Sequence, residues 1–264
     1  MEVEDGVRRG RAGLISIALV TSVLFTLGAS SFLYATHVKS AADAKNRPAE
    51  MEKVGGFGEV DRGPRGKNEI ALTFDAGAEA QCFDDLIKAL ANAHASSTFF
   101  ITGRFVHDHP DCAAEITKHG HEVGNHTWSH LDLTQQPDEV VRDEIMRAEQ
   151  AIIHASGQSP RPRWRAPYGA RDKRILKIAA GLGYRSIYWT LDSRDGIEPV
   201  KTPQFLIDRI TSQSDEELDG AIILMHVGVR STADALPAII SNLEARGFQL
   251  VTVSKLLEPA PTGE

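Results

Sequence analysis

The sequence predicts an α/β protein in which helices cover a sheet of parallel strands. Strand-like apolar runs alternate with segments of helical periodicity from about Asn68 to Leu257. Several of the strand-like runs are apolar on both faces, which is typical of parallel strands buried between helices. An open doubly wound sheet and a closed barrel both agree with this alternation.

The composition is that of an ordinary folded domain. The chain has 264 residues, of which 42% are hydrophobic and 25% are charged, as in globular domains with a sizeable core. The formal net charge is −7, and the one basic block is a short stretch near the N-terminus. We therefore expect no nucleic-acid partner, because phosphate binding needs clustered positive charge. We also expect a monomer.

The N-terminal segment is long and apolar. Residues 12–36 carry no charged side chain, and about 25 residues at about 1.5 Å each are enough to cross a bilayer. Arg8, Arg9 and Arg11 precede this segment. Because positive residues stay on the cytoplasmic side, the sequence predicts a cytoplasmic tail over 1–11 and a transmembrane anchor over 12–37.

The anchor would make the membrane a partner and place the rest of the chain in the periplasm or at the cell surface. Two alternatives stay open: a signal peptide cleaved near Ser40 to Ala42, and a helix buried inside a soluble protein. Residues 38–67 are polar and contain five glycines and two prolines, so we expect a linker. The folded domain is then expected over 68–258, followed by a tail over 259–264.

Seven strand-like segments and six helix-like segments alternate in the folded part. In the first helix-like segment, Phe83, Leu86, Ile87 and Leu90 recur at helical spacing. The strand-like segments are EIALTFDAG (69–77), SSTFFITG (96–103), HEVGNH (121–126), RWRAPYG (163–169), YRSIYWTLDS (184–193), GAIILMHVG (220–228) and FQLVTVSKLL (248–257). The helix-like segments cover 82–94, 111–120, 137–157, 171–183, 202–213 and 233–247.

Polar side chains stand where the strand-like runs end. They are Asp75, His126, Arg165, Asp192 and His226. In parallel α/β proteins the carboxyl ends of the strands share one face, and active sites are built there. The sequence therefore predicts that these residues converge on one site.

Each of these residues also has a plainer interpretation. His126 and His130 would lie on one face of a helical turn and could bind one cation, or they could be solvated imidazoles on a capped turn. Asp75 could be a general base, a metal ligand or a helix cap. His226 could be a core histidine with satisfied hydrogen bonds, and Arg165 could belong to a structural ion pair.

The two cysteines, Cys82 and Cys112, do not form a CxxC pair. A zinc–thiolate site and a thioredoxin-like motif are therefore not expected. A single disulfide and two unpaired thiols both remain open.

Five short motifs occur in order along the folded part: TFDAG at 73–77, HTWSH at 126–130, RAPYG at 165–169, DSRDG at 192–196 and LMH at 224–226. With these motifs the segment from about Asn68 to Leu257 resembles the polysaccharide deacetylase family, the chitooligosaccharide deacetylase homology domain of carbohydrate esterases. The resemblance implies a distorted (β/α) barrel with about seven parallel strands. It also implies a hydrolase that removes N-acetyl groups from sugar polymers with a divalent cation, which we expect to be zinc, with cobalt, nickel or manganese as alternatives.

The resemblance also assigns roles to individual residues. It implies that His126 and His130 bind the metal and that Asp75 is the catalytic base, held by Arg165. It implies that His226 is the general acid. The remaining implied residues are Asp195, which orients His226; Tyr168, whose backbone N–H stabilises the oxyanion; Leu224, which lines the acetate pocket; and Trp189, which contacts substrate.

Amide hydrolysis needs residues of these types. It requires an activated water, an electrophile on the carbonyl oxygen and a proton donor for a poor amine leaving group. A histidine beside a carboxylate supplies an acid whose pKa lies near the working pH.

The motifs depart from the family at two positions. Ala76 stands where the family has a second aspartate that binds the metal, so water, Asp75 or Glu79 would have to complete the shell. Gly196 stands where the fourth motif usually ends in an aromatic residue. One of three tryptophans would then have to supply that part of the substrate wall: Trp128, Trp164 or Trp189.

We therefore expect a membrane-anchored hydrolase that acts on an N-acetylated glycan, either peptidoglycan or a chitin-like chain. A catalytically impaired relative that only binds glycan is one alternative. A deacylase of a small amide or ester is another.

Overall fold

The computed structural model describes residues 58–259, and within them the chain alternates strands with helices. The strands are β1 (Glu69–Ala76), β2 (Thr98–Ile101), β3 (Glu122–Asn125), β4 (Arg163–Trp164), β5 (Arg185–Ser186), β6 (Leu191–Asp192), β7 (Ile222–His226) and β8 (Gln249–Leu250). The helices are α1 (Phe83–Asn92), α2 (Gly103–Asp108), α3 (Pro110–Lys118), α4 (Asp138–Ser156), α5 (Lys173–Gly181), α6 (Pro203–Thr211), α7 (Asp215–Leu218), α8 (Arg230–Ala245) and α9 (Val253–Leu256).

The sheet is parallel, as the alternation predicts. Seven strands follow one another in the order β5-β4-β3-β2-β1-β7-β6, and β8 pairs with the start of β1. Every pairing between these strands is parallel. The result is a half-barrel of seven parallel strands, which agrees with a distorted (β/α) barrel.

The segment that precedes β1 lies between the two edge strands of this sheet. The N–H of Val60 donates to the carbonyl of Ser186 in β5 at 2.8 Å. The carbonyl of Asp61 accepts a hydrogen bond of 2.5 Å from the hydroxyl of Thr190, directly before β6. Residues that the sequence assigns to a linker therefore contact the barrel wall at this point.

Strand β1 separates the apolar shell from the polar interior of the half-barrel. All eight of its residues are buried, and successive side chains of a strand point to opposite faces. Phe74 and Ala76 belong to the large core cluster beneath the helices. Thr73 and Asp75 face the interior, where both accept hydrogen bonds from Arg165.

The structure does not support the predicted transmembrane anchor and membrane-anchored localisation. In the part of the chain that the structure describes, no helix is long and apolar enough to cross a bilayer. The longest helix there is α4, which has 19 residues and carries charged side chains along its length, whereas a span needs about 20 mainly apolar residues. The stretch 12–37 itself lies outside the described residues.

The two cysteines are not bonded to each other. Cys82 and Cys112 are both free thiols and both half-buried. Of the two alternatives that the sequence leaves open, the structure has the unpaired thiols.

Candidate active site

The predicted site residues come together at the carboxyl ends of the central strands. Asp75 lies next to the end of β1 and stands directly opposite His226, the last residue of β7. His126 follows β3, and Arg165 follows β4, which pairs with β3. Strand order thus brings side chains from four separate motifs to one edge of the sheet, and Asp195 reaches them from the loop after β6.

Arg165 is a deeply buried charged residue of the site. Its side chain is 1% exposed, and its guanidinium makes four hydrogen bonds. Nη1 donates to Asp75 Oδ1 at 2.7 Å and to the Thr73 hydroxyl at 2.9 Å. Nε and Nη2 donate to the carbonyls of Ile187 and Tyr188 at 3.0 and 3.2 Å. These contacts satisfy a charge that would otherwise be costly to bury.

The ion pair determines the charge of Asp75. Burial is the largest single influence and by itself would raise the pKa of the Asp75 carboxyl. The charge of Arg165, the charges of His126 and His226 and the hydrogen bond from Arg165 together outweigh burial. The pKa of Asp75 therefore lies below its usual value. At neutral pH the carboxylate is ionised and can accept a proton or bind a cation.

The two imidazoles of HTWSH face each other, although not by way of a helical turn. Thr127 and His130 have positive φ angles of 69° and 61°, so this loop folds back on itself, and the helical spacing that the sequence suggested is wrong. His126 Nε2 nevertheless lies 3.2 Å from His130 Nε2 and 3.5 Å from Asp75 Oδ2.

Burial keeps both imidazoles neutral, and a hydrogen bond fixes the tautomer of His126. His126 Nδ1 lies 2.9 Å from the Arg165 carbonyl. A carbonyl only accepts, so Nδ1 carries the proton and the Nε2 lone pair is free. Burial lowers the pKa of His126, against the opposing charge of Asp75. Burial, and then the charge of His126, lower the pKa of His130 to about 3. Neutral imidazoles are the state required of a ligand.

His226 is joined to Asp195 rather than to Asp192. The Asp195 carboxylate accepts hydrogen bonds from His226 Nδ1 at 2.7 Å and from the His226 backbone N–H at 2.8 Å. The Thr232 hydroxyl donates to the same carboxylate at 2.6 Å. Although burial opposes a charge on the imidazole, the charge of Asp195 and its hydrogen bond raise the pKa of His226 to about 9. The ring is therefore protonated at neutral pH.

The RAPYG motif forms a tight turn beside the two imidazoles. Tyr168 has a positive φ of 58°, its side chain is largely exposed, and its ring lies edge-on to His130 at 4.5 Å between centroids. The Trp189 side chain packs beneath this turn, because a Cβ added at Gly169 would lie 2.6 Å from the Trp189 ring. Leu224 is buried on β7, two residues before His226.

The positions that depart from the family motifs have distinct surroundings. Ala76 is wholly buried and belongs to the apolar core cluster. The Glu79 carboxylate is exposed and accepts a hydrogen bond from Gln81 at 2.8 Å. A Cβ added at Gly196 would lie 3.0 Å from the His226 ring, so the backbone at this position approaches the imidazole closely. Any side chain there would press on the ring.

Two of the three tryptophans lie away from the cleft. Trp164 is fully buried in the cluster beneath α5. Trp128 packs against the start of α2, where a Cβ added at Gly103 would overlap its ring, and Arg147 lies over its other side at 4.4 Å. Trp189 is the tryptophan that borders the site, 5.8 Å from the Arg165 guanidinium carbon.

The donor set fits a divalent cation only in part. His126 and His130 offer two neutral nitrogens whose separation is close to that of two ligands on one zinc ion, each at about 2.0–2.1 Å from the metal. Within residues 58–259, however, no three His, Cys, Asp or Glu side chains are grouped closely enough to hold a metal. The two imidazoles would hold the cation, and the remaining positions would fall to water, substrate or Asp75.

Glu144 supports the site and was missed in the sequence. It is 5% exposed. Its carboxylate accepts hydrogen bonds from the backbone N–H groups of Trp128 and Ser129 at 3.0 and 2.8 Å, and from the Ser129 hydroxyl at 2.6 Å. The signal was present, because Glu144 interrupts the apolar stripe of α4 beside Val141 and Ile145. A carboxylate in such a stripe must find partners.

A family model described as polysaccharide deacetylase matches residues 62–187. The chitooligosaccharide deacetylase of Bradyrhizobium is 32% identical over 206 residues, which cover 72% of this chain and 91% of the relative. The peptidoglycan-N-acetylmuramic acid deacetylase PdaA of Bacillus subtilis is 30% identical over 189 residues, or 71% of each chain.

Solved structures agree with these relatives. The structure of Bacillus subtilis PdaA, a family 4 carbohydrate esterase, has a TM-score of 0.73 at 26% identity, covering 79% of this chain and 89% of that chain. A family 4 pseudoenzyme from Bacillus anthracis has a TM-score of 0.71 at 27% identity, covering 77% of this chain and 70% of that chain. Similar folds therefore include both an esterase and a pseudoenzyme.

Removing the guanidinium should destabilise the fold. In Arg165→Met the Asp75 carboxylate loses its counter-charge, so we expect the free energy of unfolding to fall by about 3–5 kcal/mol. Urea denaturation at pH 7 measures this loss. Because the pKa of Asp75 is depressed in the folded protein, the stabilisation by the pair is present above about pH 4, the unfolded pKa of an aspartate. It is lost as the pH falls through the folded pKa.

The double variant Asp75→Leu/Arg165→Met is the control for this experiment. It removes both charges and should recover a large part of the stability. A single variant as stable as the wild type would show that the buried pair does not constrain the barrel.

Proposed function

Because the chain belongs to the polysaccharide deacetylase family, we propose that it removes N-acetyl groups from glycans that contain N-acetylglucosamine, either peptidoglycan or chitin-like chains. Members of this family hydrolyse amide bonds and are generally metal-dependent. The observation that supports the proposal most strongly is the meeting of the Asp75–Arg165 pair, the two imidazoles and the His226–Asp195 pair at one edge of the sheet. The named relatives act on chitooligosaccharide and on peptidoglycan.

We propose that His126 and His130 bind the divalent cation, with zinc as the expected ion and cobalt, nickel or manganese as alternatives. Imidazole nitrogen suits zinc and nickel, whereas manganese prefers oxygen ligands such as Asp75 and water. Such a cation supplies polarisation of the acetyl carbonyl and acidification of water. The side chains of this chain perform the proton transfers.

Asp75 is proposed as the general base. Its ionised carboxylate takes a proton from the attacking water as the water oxygen bonds to the acetyl carbon. Arg165 keeps the carboxylate charged and fixes its orientation by its bond to Oδ1. Oδ2, on the side of His126, remains to receive the proton.

His226 is proposed as the general acid. Its Nδ1 is engaged by Asp195, so Nε2 is the atom that delivers a proton to the sugar nitrogen as the C–N bond breaks. Acetate and a free amine are the products. The backbone N–H of Tyr168 is proposed to donate to the oxyanion, with Leu224 beside the acetate methyl and Trp189 beside the sugar.

A catalytically impaired glycan-binding protein is the second candidate. Ala76 supplies no carboxylate where the family motif has a metal-binding aspartate, and the described residues contain no three-ligand group. This candidate predicts glycan binding without acetate release.

Acetate release tests the proposal directly. The full chain, supplied with zinc or cobalt, should release acetate from N-acetylglucosamine oligomers or peptidoglycan, and His226→Ala should lower kcat by at least about 100-fold. Metal binding, measured by calorimetry, should be kept, because His226 is not among the proposed ligands. His154→Ala, an exposed change on α4, is the control. Glycan binding without release from any substrate would favour the second candidate.

The dependence of kcat/KM on pH should reflect the protonation of His226. Its pKa is raised to about 9, so the protonated acid is present below that pH, and kcat/KM should decline as the pH rises through about 9. In Asp195→Asn the charge that raises the pKa is gone, so the alkaline limb should move to lower pH. If the alkaline decline of kcat/KM occurs at the same pH in Asp195→Asn, a group other than His226 causes that decline.

Position 76 should respond to a new carboxylate. Ala76 packs on the core side, but it is the last residue of β1, directly after Asp75. A longer carboxylate side chain at this position can turn around the strand end toward His126, whose Nε2 lies 3.5 Å from Asp75 Oδ2. Ala76→Asp is therefore expected to tighten zinc binding at least tenfold by calorimetry. Because Ala76 is wholly buried, the metal-free variant should be less stable, and zinc should raise its Tm more than that of the wild type. Ala76→Asn, similar in size but uncharged, is the control. Equal zinc affinity in all three proteins would mean that the metal shell is completed elsewhere.

A further inference from the structure

The turn 167–169 holds Tyr168 in a backbone conformation that this residue does not favour. Tyr168 and Gly169 have consecutive positive φ angles of 58° and 63°. A residue with a side chain rarely adopts the left-handed region, and it does so only where its surroundings impose it. Two backbone hydrogen bonds close the turn, from Gly169 N–H to the Ala166 carbonyl and from Ala170 N–H to the Pro167 carbonyl, at 3.0 and 2.9 Å.

Arg171 holds this turn from outside the family motif. Its Nη1 donates to the Gly169 carbonyl at 2.9 Å. Its guanidinium carbon lies over the Tyr188 ring, 3.6 Å from the ring centroid. A planar guanidinium can make both contacts at once, because it stacks through its face and donates along its edges.

The aromatic pair beneath Arg171 forms the floor of the turn. Tyr188 and Trp189 stack with ring centroids 3.9 Å apart. The Gly169 backbone rests on both rings, since a Cβ there would lie 2.6 Å from Trp189 and 2.9 Å from Tyr188. The Tyr188 carbonyl accepts a hydrogen bond from Arg165. The turn and the guanidinium that holds the base therefore share one support.

Glu59 fixes Arg171 from the segment that precedes β1. Its two carboxylate oxygens accept from Arg171 Nε and Nη2 at 2.9 and 3.1 Å, a bidentate pair. Both side chains are mostly buried, at 12% and 14% exposure. The Ser186 hydroxyl donates to the same carboxylate at 3.1 Å. Bidentate geometry fixes orientation as well as position.

We propose that Arg171 and Glu59 are positioning residues for the deacetylation, which hold the Pro167–Gly169 turn so that the Tyr168 backbone N–H is aimed at the developing oxyanion. This inference rests on the proposed function. It adds two residues outside the five motifs, one of them from the segment before the barrel. Neither residue touches the reacting atoms, so both affect the rate only through the position of the turn.

The chain contains a matched pair that separates positioning from plain stabilisation. Arg161 and Glu149 also form a bidentate ion pair, at 2.5 and 2.7 Å, with the guanidinium over the Tyr184 ring at 5.2 Å. No hydrogen bond from Arg161 to the turn 167–169 occurs among the described residues. Arg161→Met and Glu149→Gln are therefore the controls for Arg171→Met and Glu59→Gln.

The experiment measures kcat and KM of the full-length variants on N-acetylglucosamine oligomers, together with amide hydrogen exchange of the segment 166–171. We expect Arg171→Met to lower kcat at least about tenfold, up to the 100-fold or more typical of losing one oxyanion donor, with KM within about threefold. The segment should exchange faster. Arg171→Lys should restore little, because a lysine cannot make the bidentate and stacked contacts together, whereas Glu59→Gln should cause a smaller loss. The control variants should leave kcat and the exchange of this segment unchanged.

An unchanged kcat in Arg171→Met, or a rise in KM alone, would overturn the inference, as would an equal loss of kcat in Arg161→Met. If the wild type releases no acetate, the proposed deacetylase function is rejected. Hydrogen exchange then tests separately whether Arg171 and Glu59 hold the turn. Unchanged exchange over 166–171 in Arg171→Met would overturn that claim, and faster exchange confined to this segment would support it.

Discussion

The buried ion pair between Arg165 and Asp75 is the constraint on which the rest of the site depends. A guanidinium inside the half-barrel must find partners for its donors, and it finds them on β1 and on the segment that follows β5. The same residue uses its own carbonyl to fix the tautomer of His126. One residue thus sets the charge of Asp75, the free lone pair of an imidazole and the spacing of two strands. Because a lone buried charge is costly, a change of either member alone should destabilise the fold.

The surroundings of the proposed base and the proposed acid shift their pKa values in opposite directions. Both Asp75 and His226 are near the same edge of the sheet, opposite each other on β1 and β7, yet their pKa values move in directions that keep both charged. Arg165 lowers the pKa of Asp75, and Asp195 raises that of His226. A carboxylate that accepts a proton and an imidazolium that donates one can therefore coexist at neutral pH, as amide hydrolysis requires.

Much of this arrangement could be predicted from the sequence. The alternation of strand-like and helix-like segments predicts a parallel sheet, and the carboxyl ends of parallel strands, where the polar residues stand, lie on one face. What could not be predicted depends on contacts between distant segments. The imidazoles of HTWSH meet through a loop with two positive φ angles, which Glu144 holds from α4, and a spacing of four residues suggested a helix instead. The strand pattern alone points to Asp192, at the end of β6, whereas the family resemblance implies Asp195, and it is Asp195 that hydrogen-bonds His226. The transmembrane anchor was inferred from the length and apolarity of one stretch, and no helix in residues 58–259 supports it.

The central claim is that Asp75, His126, His130, Arg165 and His226 surround one cation in one cleft. Anomalous X-ray diffraction from crystals grown with zinc tests it most directly. The account predicts one strong anomalous peak between the Nε2 atoms of His126 and His130, on the side of Asp75 Oδ2, and loss of that peak in His126→Ala. A crystal with zinc bound only at other side chains, or one in which the two imidazoles bond to each other with no peak between them at saturating zinc, would contradict it.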